Sequence, residues 1–306
     1  MVGDDGERVV CIVNPASGVQ RRRMVERRLP AELPGADLWQ TRYPGHAVEL
    51  GRQAVTDGYR TVVAIGGDGT LSDVANGILE TGDEKVRLGY VPAGTCNDFV
   101  RGLDPVTDLG DLLDRGRDRE TEVGSVTFTR PDGTPAHRFF LVNCTVGLIS
   151  MVGLRFTEKT PVNRVLKRVN LQLAEAASSA RVLLGWRPVE VRLELDGEVS
   201  RHSVSNVAVL KVPYFAGGLT FGSTEPPEAG HLDAVQVLGL GRVGVVGTMW
   251  QVLRGNGARH PAIRRRQVRT LRIEAETPLP LEVDGEIVGH TPATFSVHPS
   301  RLTTVV

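Results

Sequence analysis

The sequence predicts an α/β domain built on a parallel sheet, followed by a second domain rich in antiparallel strands. Three observations carry this. An apolar run, Thr61 to Ile65, stops at Gly66-Gly67-Asp68-Gly69-Thr70, and apolar residues then recur at helical spacing (Leu71, Val74, Ala75, Ile78, Leu79). Upstream and downstream of that turn, short apolar runs alternate with helical patterns, and Gly, Asn, Ser and Thr fill the loops between them. Beyond Glu122 the chain changes to strand-like runs separated by Pro131-Asp132-Gly133, Asp196-Gly197 and Ala229-Gly230.

Taken in order, Arg8 to Val13 is a short apolar strand that runs into Asn14-Pro15-Ala16-Ser17-Gly18, a turn of the kind that faces phosphate. Arg21, Arg22 and Arg23 follow, with a solvated helix face and a phosphate contact as equal readings. Leu38 to Arg42 is the second strand, which sets Thr41 at its carboxyl end; His46 to Asp57 is helical and stops at Gly58. Arg87 to Val91 is a further strand, ending at Pro92-Ala93-Gly94-Thr95, and Asp104 to Glu120 is a charged helix or linker. In the second part Glu122–Thr129, His137–Thr145, Glu190–Leu195, Ser203–Val212, Ala234–Leu238, Gln267–Glu274 and Pro280–Val283 read as strands. A helical insertion spans Val162 to Leu184. Asp284-Gly285 is a hairpin turn that joins Leu281-Glu282-Val283 to Ile287-Val288 and carries Glu286 at its exit.

Composition bounds the function classes. The 306 residues are 41% apolar and 24% charged with zero formal net charge, so no global field draws the chain to nucleic acid or to an acidic membrane. Cys11, Cys96 and Cys144 are few, odd in number and without a C-x-x-C pair, which argues against a disulfide framework or zinc site and suits a reducing compartment. The acidic, polar start is unlike a signal peptide. Ala234 to Leu253 is nearly long enough to span a bilayer, but Arg242 and four glycines interrupt it, and its first part alternates; a strand followed by a helix is expected. The expected location is the cytoplasm. No aromatic interleaving accompanies the basic residues, so no nucleic-acid partner is expected.

The chemistry is concentrated at strand ends. An open parallel sheet binds its ligand outside the carboxyl ends of its strands, so the loops at Asn14, Thr41, Gly66 and Gly94 should converge on one crevice. A glycine turn leading into a helix presents free N–H groups to an anion, and Thr70, Ser72 and Asp73 lie in the first turns of that helix. Asp68 cannot cradle phosphate itself; it would hold Mg²⁺ or orient a hydroxyl.

The ordered landmarks Asn14-Pro15-x-Ser17-Gly18, Gly66-Gly67-Asp68-Gly69-Thr70, Pro92-x-Gly94-Thr95-x-Asn97-Asp98-Phe99, Asn143 with Gly147, Leu232-Asp233 and Asp284-Gly285-Glu286 resemble the diacylglycerol kinase catalytic family. That family includes bacterial soluble lipid kinases and sphingosine kinases; NAD kinases share the glycine-aspartate-glycine turn. The resemblance implies an N-terminal nucleotide-binding domain over residues 1–122 and a C-terminal β-sandwich, the lipid-substrate domain, over 123–288. It further implies that 289–306 returns to the first domain and that ATP sits between the two. By position, Asn14, Pro15, Ser17, Gly18, Thr41, Gly66, Gly67, Asp68, Gly69, Thr70, Ser72, Asp73, Gly94 and Thr95 would bind the nucleotide. Asp68 would serve the metal–phosphate centre, and Glu286, beside Asp284, would be the general base.

The implied structural Mg²⁺ site of the second domain falls on Asp233 and Glu228. The family's usual Asp-Gly-Leu-Leu-Asp reads Ala229-Gly230-His231-Leu232-Asp233 here, and Glu122 stands where an Asp is usual. The activity implied is ATP- and Mg²⁺-dependent phosphorylation of the hydroxyl of diacylglycerol or a related lipid, with peripheral contact at the inner membrane face. A kinase for a soluble acceptor and a non-catalytic nucleotide or lipid sensor stand as alternatives. Arg155 to Arg187, with seven Lys/Arg against two acids, and the arginines from Arg259 to Arg272 are either membrane-facing or solvated. Homodimers occur among similar proteins, but nothing in the sequence singles out an interface.

Overall fold

The computed structural model describes residues 8–15, 35–101, 117–158, 160, 171–255, 257 and 260–305. Four parallel strands, β1 (Val9–Val13), β2 (Asp37–Gln40), β3 (Thr61–Gly66) and β4 (Arg87–Pro92), form the first sheet in the order β2-β1-β3-β4. Their registers set Val9 against Thr61 and Thr61 against Arg87. β3 is buried along its whole length because both faces of the sheet are covered. Val10, Ile12, Val62, Ala64, Leu88 and Tyr90 point to one core. Cys11, Val13, Val63, Ile65 and Val91 point to the other. A continuous apolar run in the sequence is the consequence.

Helices α1 (His46–Thr56) and α2 (Asp68–Leu79) cover the first of these faces. They cross at glycines. A Cβ on Gly77 would lie 2.2 Å from the carbonyl oxygen of Val48, and one on Gly51 would lie 2.6 Å from that of Val74. The two backbones approach closer than any side chain there would allow, so the tilt of α2, and with it the aim of its N-terminus, is fixed by these contacts.

The second part is strand-rich: β5 (Asp118–Thr129), β6 (Pro135–Phe140), β7 (Asn143–Gly147), β8 (Val189–Leu195), β9 (Glu198–Leu210), β10 (Leu232–Leu238), β11 (Ile263–Val268), β12 (Thr270–Ala275), β13 (Pro280–Val283) and β14 (Glu286–Val305). Three helices, α3 (Leu148–Thr157), α4 (Leu171–Gly185) and α5 (Arg242–Leu253), lie among them. Hydrogen-bonded neighbours run β9-β7-β13-β14-β12-β8 and return to β9. This flattened β-sandwich encloses a core of Phe140, Cys144, Val146, Leu193, Val207, Leu271, Ile273, Leu281 and Phe295. Strand β14 continues beyond the sandwich: Thr303–Val305 pair in parallel with Arg87–Gly89 of β4, while Arg301–Val305 pair with β5. The β5–β14 ribbon therefore serves both sheets.

Strand β9 begins at Glu198 rather than Ser203, helix α3 has no counterpart in the sequence expectation, and three further differences have a visible cause. Strand β5 begins at Asp118 rather than Glu122, because exposed charged residues pair with the end of β14 there without any apolar signal. His137–Thr145 is two strands: the N–H groups of Leu141, Val142 and Asn143 donate to the carboxylate of Asp284, which interrupts the ladder. Gln267–Glu274 is likewise split at Arg269, where Asp196 accepts the N–H groups of Arg269 and Thr270. In both cases a buried or turn carboxylate outcompetes strand pairing for backbone donors, which no periodicity reports. Of the helical insertion predicted from Val162 to Leu184, residues 162–170 fall outside the described residues and α4 accounts for the remainder.

Candidate active site

Strand β3 ends at Gly66, Gly67 is extended as the residue before the helix, and α2 begins at Asp68 with no side chain capping it. The first-turn N–H groups thus face outward beyond the sheet, where an anion is favoured by both hydrogen bonding and the helix dipole. Asn14 is set by its N–H on the carbonyl of Ile65 (3.1 Å) and gives its side-chain amide to Thr70 Oγ1 (3.1 Å). Thr41 is brought to the same level by its N–H on Val13 (3.0 Å). A Cβ on Gly94 would come within 2.4 Å of Gly67 Cα, so the second glycine loop packs directly on the first.

Asp68 organises that second loop. Its carboxylate accepts the N–H groups of Asp98 (3.0 Å) and Phe99 (3.1 Å). Burial raises its pKa, and the two backbone bonds oppose the rise. Asn97 clips the loop internally, its Oδ1 accepting from Gly94 N–H and its amide donating to Gly94 O. Asp98 in turn accepts the N–H of Gly217 (3.0 Å), tying the loop to the second domain.

The hairpin between β13 and β14 supplies the opposing wall. Asp284 (φ 46°) and Gly285 (φ 86°) both adopt the left-handed conformation that a tight two-residue hairpin demands. Asp284 is turned inward and satisfied by the three N–H groups of residues 141–143 at 2.9–3.0 Å. Burial raises its pKa and those bonds counteract it. Glu286 points the other way, with its side chain 49% exposed. Its Oε1 lies 3.9 Å from where a Cβ on Gly69 would stand, so the carboxylate from the far domain meets the first turn of α2.

Arg138 of β6 bridges the wall to the helix, donating to Asp73 Oδ1 (2.5 Å) and lying 3.2 Å from Glu286 Oε2. Asp73 is pushed up to about 6, first by burial and then by the charge of Glu286, with Arg138 pulling the other way. Asn76 of α2 also reaches β6, exchanging hydrogen bonds with the backbone of Phe139.

A cleft of about 550 Å³ lies here, lined by Asn14, Pro15, Thr41, Tyr43, Asp73 and Glu286 among others. Of the residues singled out in the sequence, Asn14, Pro15, Thr41, Asp73 and Glu286 line it; Gly69 adjoins Glu286, Gly67 packs on Gly94, and Gly66 and Thr70 are buried behind them. Ser72 is fully buried inside α2, Gly94 is engaged in the loop contact, and Thr95 is exposed on that loop. Ser17 and Gly18 lie outside the described residues. Arg138 has no place in the sequence reading, and Asp98 enters it only as part of a landmark, without a site role. A lone arginine in a strand that otherwise alternates carries no local signal of a partner on a distant hairpin.

Two carboxylates sharing one guanidinium at a phosphate-facing turn fit the way Mg²⁺ is bound, by one or two carboxylates plus phosphate oxygens. Asp73 would hold it, with Glu286 across from it; Asp68 is already engaged by backbone. The second-domain candidates are different. Asp233 is fully buried and forms an ion pair with Arg265, while Glu228 is engaged through its backbone, its N–H donating to Gln267 Oε1 and its carbonyl accepting the N–H of His231. Glu122 accepts from Lys211 Nζ (3.2 Å) and from Gly230 N–H (2.8 Å). Two protein cations, Arg265 and Lys211, stand at the carboxylates that a structural metal would need, so these residues do not fit one. Among the described residues no group of three or more His, Cys, Asp or Glu side chains is arranged to hold a metal ion.

Residues 8–126 match the family model described as diacylglycerol kinase catalytic domain, and residues 152–306 match the YegS C-terminal NAD kinase beta sandwich-like domain. Similar curated proteins include diacylglycerol kinases of Staphylococcus carnosus and Staphylococcus aureus. Each is 27% identical over 298 residues, covering 94% of this chain and 92% and 89% of the relative respectively. A solved structure described as a putative diacylglycerol kinase from Bacillus anthracis, 21% identical, superimposes with TM-score 0.74 over 98% of this chain and 95% of its own. Yeast NADH kinase, 12% identical, gives TM-score 0.55 over 99% of this chain and 84% of its own. With a parallel-sheet domain, a closed sandwich and both family models matched in order, the chain belongs to the diacylglycerol kinase catalytic family.

Proposed function

We propose that this protein is an ATP- and Mg²⁺-dependent lipid kinase that transfers the γ-phosphoryl group to the hydroxyl of diacylglycerol or a related lipid. The observation that carries the reading is the meeting of Glu286, from the hairpin, with the glycine-rich N-terminus of α2 across the cleft. The triphosphate lies along the α2 N-terminus, with Asn14, Thr41 and the Gly66–Thr70 turn as its contacts. Mg²⁺ would supply neutralisation of phosphate charge, and Asp73 is the carboxylate that would hold it, which leaves Glu286 free to take a proton.

A lipid hydroxyl does not ionise near neutral pH, so positioning carries most of the catalysis and the proton leaves late. As the acceptor oxygen bonds to the γ-phosphorus, its proton passes to a carboxylate oxygen of Glu286. The bond from that phosphorus to the bridging oxygen breaks, and ADP leaves with the electron pair. Arg138 holds Glu286 at the phosphate end of the cleft, and Asp284 fixes the turn from which Glu286 projects.

The test is incubation with γ-labelled ATP, Mg²⁺ and a panel of dispersed lipids and soluble hydroxyl compounds. Label is expected in the organic phase with diacylglycerol-like acceptors. Label confined to aqueous products would replace the lipid acceptor with a soluble one, and ATP binding without any product would make the protein a sensor.

A further inference from the structure

Helix α5 is apolar on two opposite faces. Val245, Thr248 and Val252 are buried against the sandwich. Val243 (88% exposed), Val246 (55%), Trp250 (49%) and Leu253 (59%) face outward at spacings of three and four residues, which places them on one stripe. Val182 of α4 and Trp186 just after it pack with Val245 on the buried face of α5, and Leu184 between them is 70% exposed. An exposed stripe of this kind marks a surface that is covered in use.

The charges around the stripe say by what. From Ala234 to Ile273 the chain carries eight arginines and no acidic residue. Arg265, Arg266 and Arg272 are paired with acids elsewhere, whereas Arg242 and Arg254, which bracket α5, have no acidic partner among the described residues. Arg254 lies over the face of the Trp250 ring, 3.6 Å from its centroid, so an apolar ring and a cation are held together at the end of the stripe. A two-fold pairing of α5 with itself would set Arg242 of one copy near Arg254 of the other, with like charges opposed. An anionic lipid surface meets both the apolar stripe and the arginines. Among the described residues no helix is long and apolar enough to cross a membrane.

We propose that α5 is a membrane-docking helix. Its Val243–Val246–Trp250–Leu253 stripe enters the headgroup region of an anionic bilayer, and Arg242 and Arg254 contact the lipid phosphates. Helix α3 connects this surface to the active site. Its Leu148 and Ile149 line a small cavity of about 40 Å³ behind α5, and its Gly153 packs against Glu282 and Ile287 of the catalytic hairpin. The biological reason for docking rests on the lipid-kinase reading, but the docking itself is measured without ATP or turnover.

The experiment is co-sedimentation of the full chain with vesicles of phosphatidylglycerol and phosphatidylcholine, and with vesicles of phosphatidylcholine alone. Binding is expected only to the anionic vesicles and should weaken with salt. Trp250→Glu and Val246→Glu should each lower it at least tenfold while leaving the circular dichroism spectrum intact. Transfer to a water-soluble short-chain acceptor should be unchanged in these variants, so a failed kinase reading and a failed docking proposal show up in different assays. Unchanged vesicle binding by folded Trp250→Glu, or no binding by the parent chain, would overturn the proposal. So would a dimer in sedimentation that Trp250→Glu dissociates, because α5 would then be an interface between copies.

Discussion

Two groups of acids sit in this molecule, and they are treated in opposite ways. In the cleft, Asp73 and Glu286 share the single cation Arg138, and Glu286 remains half exposed. Around the loop that ends at β10, Glu122 and Asp233 are each matched to a protein cation, Lys211 and Arg265, and Asp233 is sealed from solvent. The first group keeps charge in reserve for a ligand. The second is paired within the chain, although Oδ1 of Asp233 is buried without a hydrogen-bond partner. The half-exposed carboxylate of Glu286, sharing one guanidinium with Asp73, rather than the number of carboxylates, separates a binding site from a structural one here.

The sharpest way to break this contrast is at Glu286. Glu286→Gln keeps the shape and removes the proton acceptor; transfer should fall by about 10²–10⁴-fold with ATP affinity held, measured by single-turnover phosphorylation. Retained turnover would move Glu286 into the second category. Next comes Arg265→Ala, which leaves Asp233 buried and unpaired and should cost about 3–5 kcal/mol in urea unfolding. The parent chain's melting temperature should not change on adding EDTA, because Arg265 and Lys211 already neutralise the loop. A large drop with EDTA would show that a metal binds there after all.

Asp284→Asn is a smaller perturbation. It keeps the turn but weakens the charge-assisted bonds to residues 141–143, costing about 1–3 kcal/mol and lowering turnover through misplacement of Glu286. The smallest effect concerns Glu282, which burial pushes up to about 7. The folded state retains its proton between about pH 4.5 and 7 while the unfolded chain releases it, so stability falls as pH rises through that window. Glu282→Gln should flatten this slope, by about 1 kcal/mol or more between pH 5 and 7 in denaturant titrations.

The sequence shows one side of the contrast more readily than the other. The parallel domain is legible because a doubly covered strand must be apolar throughout and a phosphate-facing turn must be glycine-rich. Asp-Gly before Glu286 is legible because only such residues tolerate positive φ at both turn positions. Arg138 and Arg265 are not legible. Their partners lie on other elements far along the chain, and an arginine in an alternating strand looks solvated until the fold closes on it. The same holds for Asp284: adjacency to Glu286 suggests a shared chemical task, whereas its carboxylate is fully occupied by backbone donors. The exposed stripe on α5 is hidden for the opposite reason, since a helix that is apolar all round reads as buried.

The long ribbon of β5 and β14 has a mechanical consequence. Because the same pair of strands is woven into both lobes, widening or narrowing the crevice cannot be a free swing about a flexible linker; it must twist a hydrogen-bonded ladder. Of that ladder's two register breaks, the one between His290 and Thr294 lies in the sandwich, and the one between Val297 and Arg301 lies between the lobes. Motion should concentrate there, so the resting gap between the lobes behaves as a sprung jaw whose tension is set by two strands.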